Sequence, residues 1–109
     1  MIEEAKEKFW NIWNDTIDEE KLSWVEDNLP YYLKINRTIQ REDMLHIVQC
    51  LDSMVASLCD KYPGGDFVEA VLSNDLIRVL ETADSINEIV LRTYMLFIYN
   101  KVPYALRRF

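Results

Sequence analysis

A chain of 109 residues, half of them apolar and 28% charged, has the size and balance of one globular domain, which excludes disordered, fibrous and disulfide-dense classes. The net charge is −7 and unevenly placed: residues 1–28 carry nine acids against three bases, residues 64–88 six against one, and residues 89–109 four bases and no acid. Nucleic-acid affinity rests on Lys and Arg displacing counterions from phosphates, so this surface disfavours general DNA or RNA binding, with acids imitating phosphates a minor alternative to a solvated face.

Two adjacent glycines, Gly64 and Gly65, and three prolines, Pro30, Pro63 and Pro103, are the only strong punctuation, which predicts a few helices joined by short loops. At roughly 100° per residue, Ile2, Ala5, Phe9, Trp10, Ile12, Trp13 and Ile17 fill an arc of about 160°, a wide apolar stripe on an otherwise acidic first helix. Asp18-Glu19-Glu20 places acids where the positive end of a second helix dipole would favour them. Leu22, Val25, Leu29, Tyr32 and Leu33 share one face across Pro30, so the chain either kinks there or breaks and restarts with Pro30 in a first turn.

The clearest pattern spans Thr38 to Lys61, where Met44, Ile47, Val48, Leu51, Met54, Val55 and Leu58 fall within roughly 120°. Tyr62-Pro63-Gly64-Gly65 ends it as a loop, and Asp66 with Glu69 has the spacing of a capping box with Asp66 as N-cap. Phe67, Ala70 and Val71 point about 180° away from Leu76, Leu80 and Ala83, so the phase jumps at Ser73-Asn74-Asp75 and predicts two short helices. Ser85 with Glu88 forms a second box opening a helix over 86–102, which Pro103 stops. That last helix is apolar nearly all round and is expected to be the central rod of a single all-α bundle of five or six helices over 1–109, with a homo-oligomer as a way to cover the rest.

Chemistry-bearing constellations are sparse, and no catalytic residue, metal or cofactor is expected. Cys50 and Cys59, about 13 Å apart along one predicted helix, read as free thiols. His46 falls on the solvent side of that helix without convergent zinc ligands. The acidic amino terminus lacks the basic flank and apolar block of a secretory signal, and Glu88, Arg92 and Asn100 interrupt the most apolar stretch, so a cytoplasmic chain without a membrane span is expected. Glu81 and Asp84, one turn apart, resemble half of the magnesium site of all-helical nucleotide pyrophosphohydrolases, but the upstream carboxylate group is missing and a solvated face is the plainer reading. Gly64, Gly65 and Asp66 at a helix start, with Asn74, Asp75 and Arg92, form a candidate site for a small anionic ligand, against the plainer reading of a capped junction. Trp10, Trp13 and Trp24, with the basic aromatic tail at Arg107, Arg108 and Phe109, form a candidate partner interface, against core packing for any single tryptophan and docking of the tail on its own chain.

The run Pro63-Gly64-Gly65-Asp66-Phe67-Val68-Glu69-Ala70-Val71-Leu72-Ser73-Asn74-Asp75-Leu76, followed by Ala83-Asp84, Asn87, Tyr99-Asn100 and Pro103, resembles a group of small bacteriophage proteins with a P-G-x-F-x-x-A-V-L-x-N-D-L signature. The likeness covers about residues 62–104 and departs after Pro103, where Tyr104 to Phe109 replace the tryptophan and glycine residues common in that group. It implies a phage protein working in the bacterial cytoplasm, where such proteins commonly block a host protein or soak up a nucleotide signal. The expected function is therefore non-catalytic binding of a host protein through the acidic, tryptophan-bearing amino-terminal helices. The alternatives are a homo-oligomeric sponge for a small anion and, last, a magnesium-dependent nucleotide hydrolase.

Overall fold

Helical periodicity in the sequence becomes seven α-helices among residues 2–31, 33 and 39–109, the part of the chain that the computed structural model describes. They are α1 (Ile2–Asp15), α2 (Asp18–Asp27), α3 (Arg41–Leu58), α4 (Asp66–Leu72), α5 (Leu76–Thr82), α6 (Ser85–Ile89) and α7 (Leu91–Asn100), closed by a 3₁₀ turn at Tyr104–Leu106. No strand occurs among the described residues, so the molecule is the all-α bundle that the pattern predicts.

The segment read as one helix over 86–102 is two. Val90 leaves the helical range at φ −101° and ψ 18°, with its side chain fully buried. Its N–H still donates to Ile86 O, and its carbonyl accepts from Thr93 N at 2.8 Å, a three-residue turn in place of the four-residue one. Neither Gly nor Pro marks this position; core packing makes the turn against local propensity.

The central rod is α3, against which α1, α2 and α4 all pack. Ile47, Leu51, Met54 and Val55 of its predicted stripe are completely buried. The last helix instead contributes large plugs: Phe97 meets Trp13 and Trp24 edge-on at ring-centroid distances of 5.1 and 5.6 Å, and Tyr94 meets Phe67 at 5.6 Å. Its opposite side, with Arg92 and Tyr99, is exposed, so it is not covered all round.

Other junctions follow the sequence with local corrections. Helix α2 ends at Asp27, ahead of Pro30, and Leu33 N donates to Pro30 O at 3.0 Å; Tyr31 and Leu33 are helical, so the chain breaks and restarts at Pro30 instead of kinking. Leu22, Val25, Leu29 and Leu33 are buried as a set, and Tyr32 lies outside the described residues; the helix expected over Thr38 to Lys61 runs only from Arg41 to Leu58, with Gln40 as N-cap and Cys59 as C-cap. Asp75 caps α5 by accepting from Arg78 N, and Asn74 takes the left-handed conformation at φ 56° that ends α4, as the phase jump required. The two predicted boxes sit one residue early: the N-caps are Gly65 and Asp84, so Asp66 and Ser85 are first helical residues. The reason is side-chain demand elsewhere. Asp66 pairs with Arg78 at 3.0 Å, Glu69 accepts from Ser57 Oγ at 2.8 Å, and the Asp84 carboxylate already accepts from Asn87 N at 2.7 Å.

Candidate functional site

Phe9 and Trp13 stand one turn apart on α1 and point into the bundle. Trp13 packs edge-on against Phe97 and donates its indole N–H to Asp52 Oδ1 at 2.7 Å, which fixes α1 on α3. Lys21 of α2, itself buried, reaches the same carboxylate oxygen at 3.3 Å and places its ammonium 4.5 Å from the centre of the Trp13 ring. One carboxylate on the central rod thereby ties the first two helices together.

These ties leave an open groove of about 660 Å³ between α1 and α2, closed at one end by Lys101 and Pro103. Phe9, Ile12, Trp13 and Trp24 supply its apolar surface, and Lys8, Lys101, Glu20 and Asp27 supply charges of both signs. Ile12 is 56% exposed and stands in the same groove as the two tryptophans, so its apolar surface is continuous with theirs. The size falls within the roughly 300–1,000 Å³ of clefts that bind ligands or side chains of a partner.

Two of the three predicted interface tryptophans, Trp13 and Trp24, therefore line this groove, although Trp13 is mostly committed to the core. Trp10 lies half-buried under Lys61, whose ammonium is 5.4 Å from its ring, and does not line the groove. The tail docks on its own chain. Arg108 donates to Glu69 Oε2 at 3.1 Å and to the carbonyl and hydroxyl of Ser57 at 3.0 and 2.8 Å, while Leu106 is buried and its 3₁₀ turn packs against α1. Arg107 donates to Tyr99 O at 2.8 Å and lies over the Tyr99 and Tyr104 rings, and Phe109 is half-exposed.

The candidate anion residues are not brought together. Gly64 is where it is because a Cβ there would come within 2.5 Å of Val68 Cγ1, a packing requirement. Gly65 precedes a helix of only seven residues, whose first residue, Asp66, carries a carboxylate bound to Arg78. Asn74 and Asp75 serve the α4–α5 junction, and Arg92 lines a different groove with Tyr99, Arg107 and Phe109. Glu81 is exposed and Asp84 is engaged as a cap; no group of three or more His, Cys, Asp or Glu is placed to hold a metal among the described residues.

The sequence places Asn87 with Asn74, Asp75, Asp84 and Asn100 in a set that either caps and cross-links the last helices or lines a pocket beside Gly64-Gly65; what it does not give is the polar latch that Asn87 makes with Cys50 and Tyr94. This buried amide accepts from Tyr94 OH at 2.5 Å through Oδ1 and contacts Cys50 Sγ at 3.7 Å through Nδ2. Asp84, which caps the same short helix, also meets His46 Nε2 of α3 at 3.0 Å, so His46 is half-exposed and partnered, not simply solvated. Burial pushes both the Cys50 thiol and the Tyr94 phenol above their ordinary values. That is the reverse of thiol activation, although His46 and Cys50 lie one turn apart on α3. Cys59 is free and buried as well, its thiol also raised by burial. The latch holds α3, α6 and α7 together. The seven-residue spacing of Asn87 and Tyr94, which places them on one side of a helical segment, was the available signal.

The chain matches no protein-family model, no curated protein and no solved structure. No helix among the described residues is long and apolar enough to cross a membrane.

Proposed function

We propose that this protein is a non-catalytic binding module that seats a segment of a partner protein in the groove between α1 and α2. The observation that carries the reading is the groove lined by exposed Ile12, half-buried Trp24 and the largely buried Trp13, with Lys8, Lys101, Glu20 and Asp27 around it. An apolar centre with a charged rim is the arrangement that concentrates binding energy on a few aromatic anchors while the rim sets register. The partner belongs to the bacterial cytoplasm if the chain is phage-encoded, as the likeness over residues 62–104 implies. In that stretch, Asp75, Asp84 and Asn87 all serve caps or the latch, so the shared residues build scaffold, while the groove is mostly formed by residues 5–27, outside the likeness.

The test is a photo-reactive amino acid at position 12 in host lysate. The expected result is one dominant adduct with a host protein, competed by wild-type chain and not by Ile12→Asp. Equal competition by the two would remove the groove as the site. The anion sponge at Gly64-Gly65 and the magnesium hydrolase gain no support from the arrangement of their residues.

A further inference from the structure

The carboxyl-terminal segment 89–109 carries four bases and no acidic side chain in a chain of net charge −7. Of its four cations, Arg108 is neutralised by Glu69. Arg92, Lys101 and Arg107 have no carboxylate at ion-pair distance among the described residues. Two of them, Arg92 and Arg107, come together at a groove of about 310 Å³ whose other surface is Met95, Leu96, Tyr99 and Phe109. Arg107 is held in place by its hydrogen bond to Tyr99 O and by the Tyr99 and Tyr104 rings, whereas the Arg92 side chain makes no hydrogen bond among the described residues. Tyr99 and Phe109 are 72% and 52% exposed, so two aromatic faces and a guanidinium stand open together.

We propose that this groove binds a small anionic amphiphile: a carboxylate on an alkyl or aryl body, its head on Arg92 and its hydrocarbon on Met95, Leu96 and Phe109. The guanidinium fork matches a carboxylate in two parallel hydrogen bonds, which selects the head group. The apolar floor selects the body, because a ribose, a base or a free phosphate would leave its polar atoms unpaired against Met95 and Leu96. Scale separates this ligand from a macromolecular polyanion or an anionic bilayer. Those would meet the net charge of −7 across the rest of the surface. A molecule confined to the groove feels mainly the local cations, since fields are screened beyond roughly 8 Å at physiological salt.

The experiment is an amide NMR titration of the full chain with decanoate, alongside decanol, decyltrimethylammonium and inorganic phosphate. Decanoate is expected to give saturable shifts at Met95, Leu96 and Tyr99, weaken as salt rises, and lose about tenfold or more in affinity in Arg92→Gln, whose exposed side chain holds nothing in the fold. Lys8→Glu, which alters the other groove, is expected to leave decanoate binding unchanged. Comparable binding of decanol or decyltrimethylammonium, comparable shifts with phosphate alone, full affinity in Arg92→Gln, or no saturable shift at millimolar decanoate would each overturn the proposal.

Discussion

Glycines 64 and 65 show how much a single position owes to its neighbours. Adding a Cβ at Gly64 drives it to 2.5 Å from Val68 Cγ1, whereas at Gly65 nothing lies within 4 Å. Gly64→Ala is therefore expected to cost about 1–3 kcal/mol through overpacking, and Gly65→Ala to be neutral or to stabilise by a few tenths through the unfolded chain; urea midpoints of the two variants measure the contrast. The pair reads in sequence as a turn, and its turn character was legible; which glycine is compulsory was not, because the obstacle is the side chain of Val68 on α4 folding back over the loop. A capping or cross-linking role for Asn87 was legible, but its partners were hidden in the same way, since Cys50, Asn87 and Tyr94 meet only once α3 and α7 have packed. Its titration follows from its burial. Native Cys50 and Tyr94 keep their protons to higher pH than the ordinary values of 9.0 and 10.0. Their stabilising contribution is then complete below those values and is lost as pH climbs from them through the raised native ones. The urea midpoint is expected to fall on going from neutral pH to above 10.0. Tyr94→Phe should reduce that fall while costing about 1–3 kcal/mol at neutral pH, because the Asn87 amide loses its strongest partner. An alkaline decline of equal size in wild type and variant would show that the phenol is not its source.

At the level of helices, periodicity was the dependable signal and boundaries were set by competition for side chains. The phase jump at residues 73–75 was readable because the apolar direction reverses there, and the structure breaks at that point. The break at Val90 was not readable, because apolar residues on both sides of it continue one uninterrupted pattern and only three-dimensional packing distinguishes one helix from two. The cap of α6 sat between two adjacent cap-forming residues, Asp84 and Ser85, and the choice fell to Asp84, whose second oxygen also reaches His46. This double duty can be separated by mutation. Asp84→Ala should lose about 1 kcal/mol for the cap and at most about 1 kcal/mol more for the half-exposed pair. Asp84→Asn keeps a cap acceptor and should recover most of the first loss, as read by thermal or urea unfolding. Equal destabilisation by both substitutions would mean that the contact with His46, not the cap, is what α6 depends on.

For the whole molecule the question is how a chain this small sets aside apolar surface for a partner without giving up its core. Carboxylate Asp52 supplies the answer: by holding both Trp13 and Lys21 it fixes α1 and α2 to α3, and the groove is the space they leave above the tryptophan. The sequence did show that the first helix has an apolar stripe wider than one packing face needs. It could not show the groove itself, whose far end is made by Lys101 and Pro103, distant along the chain. Division of labour between neighbouring residues on α1 gives a sharp prediction. Trp13 packs against Phe97 and satisfies Asp52, so Trp13→Ala should cost about 3–5 kcal/mol, a large share of the roughly 5–15 kcal/mol that holds a domain together. Loss of partner binding in that variant would then report unfolding. Ile12, one residue earlier and mostly in solvent, has little folding role, so Ile12→Asp should leave the urea midpoint within about 0.5 kcal/mol of wild type while abolishing capture of the partner. If Ile12→Asp instead unfolds the chain, the groove is part of the core; if it folds and still binds, the partner sits elsewhere.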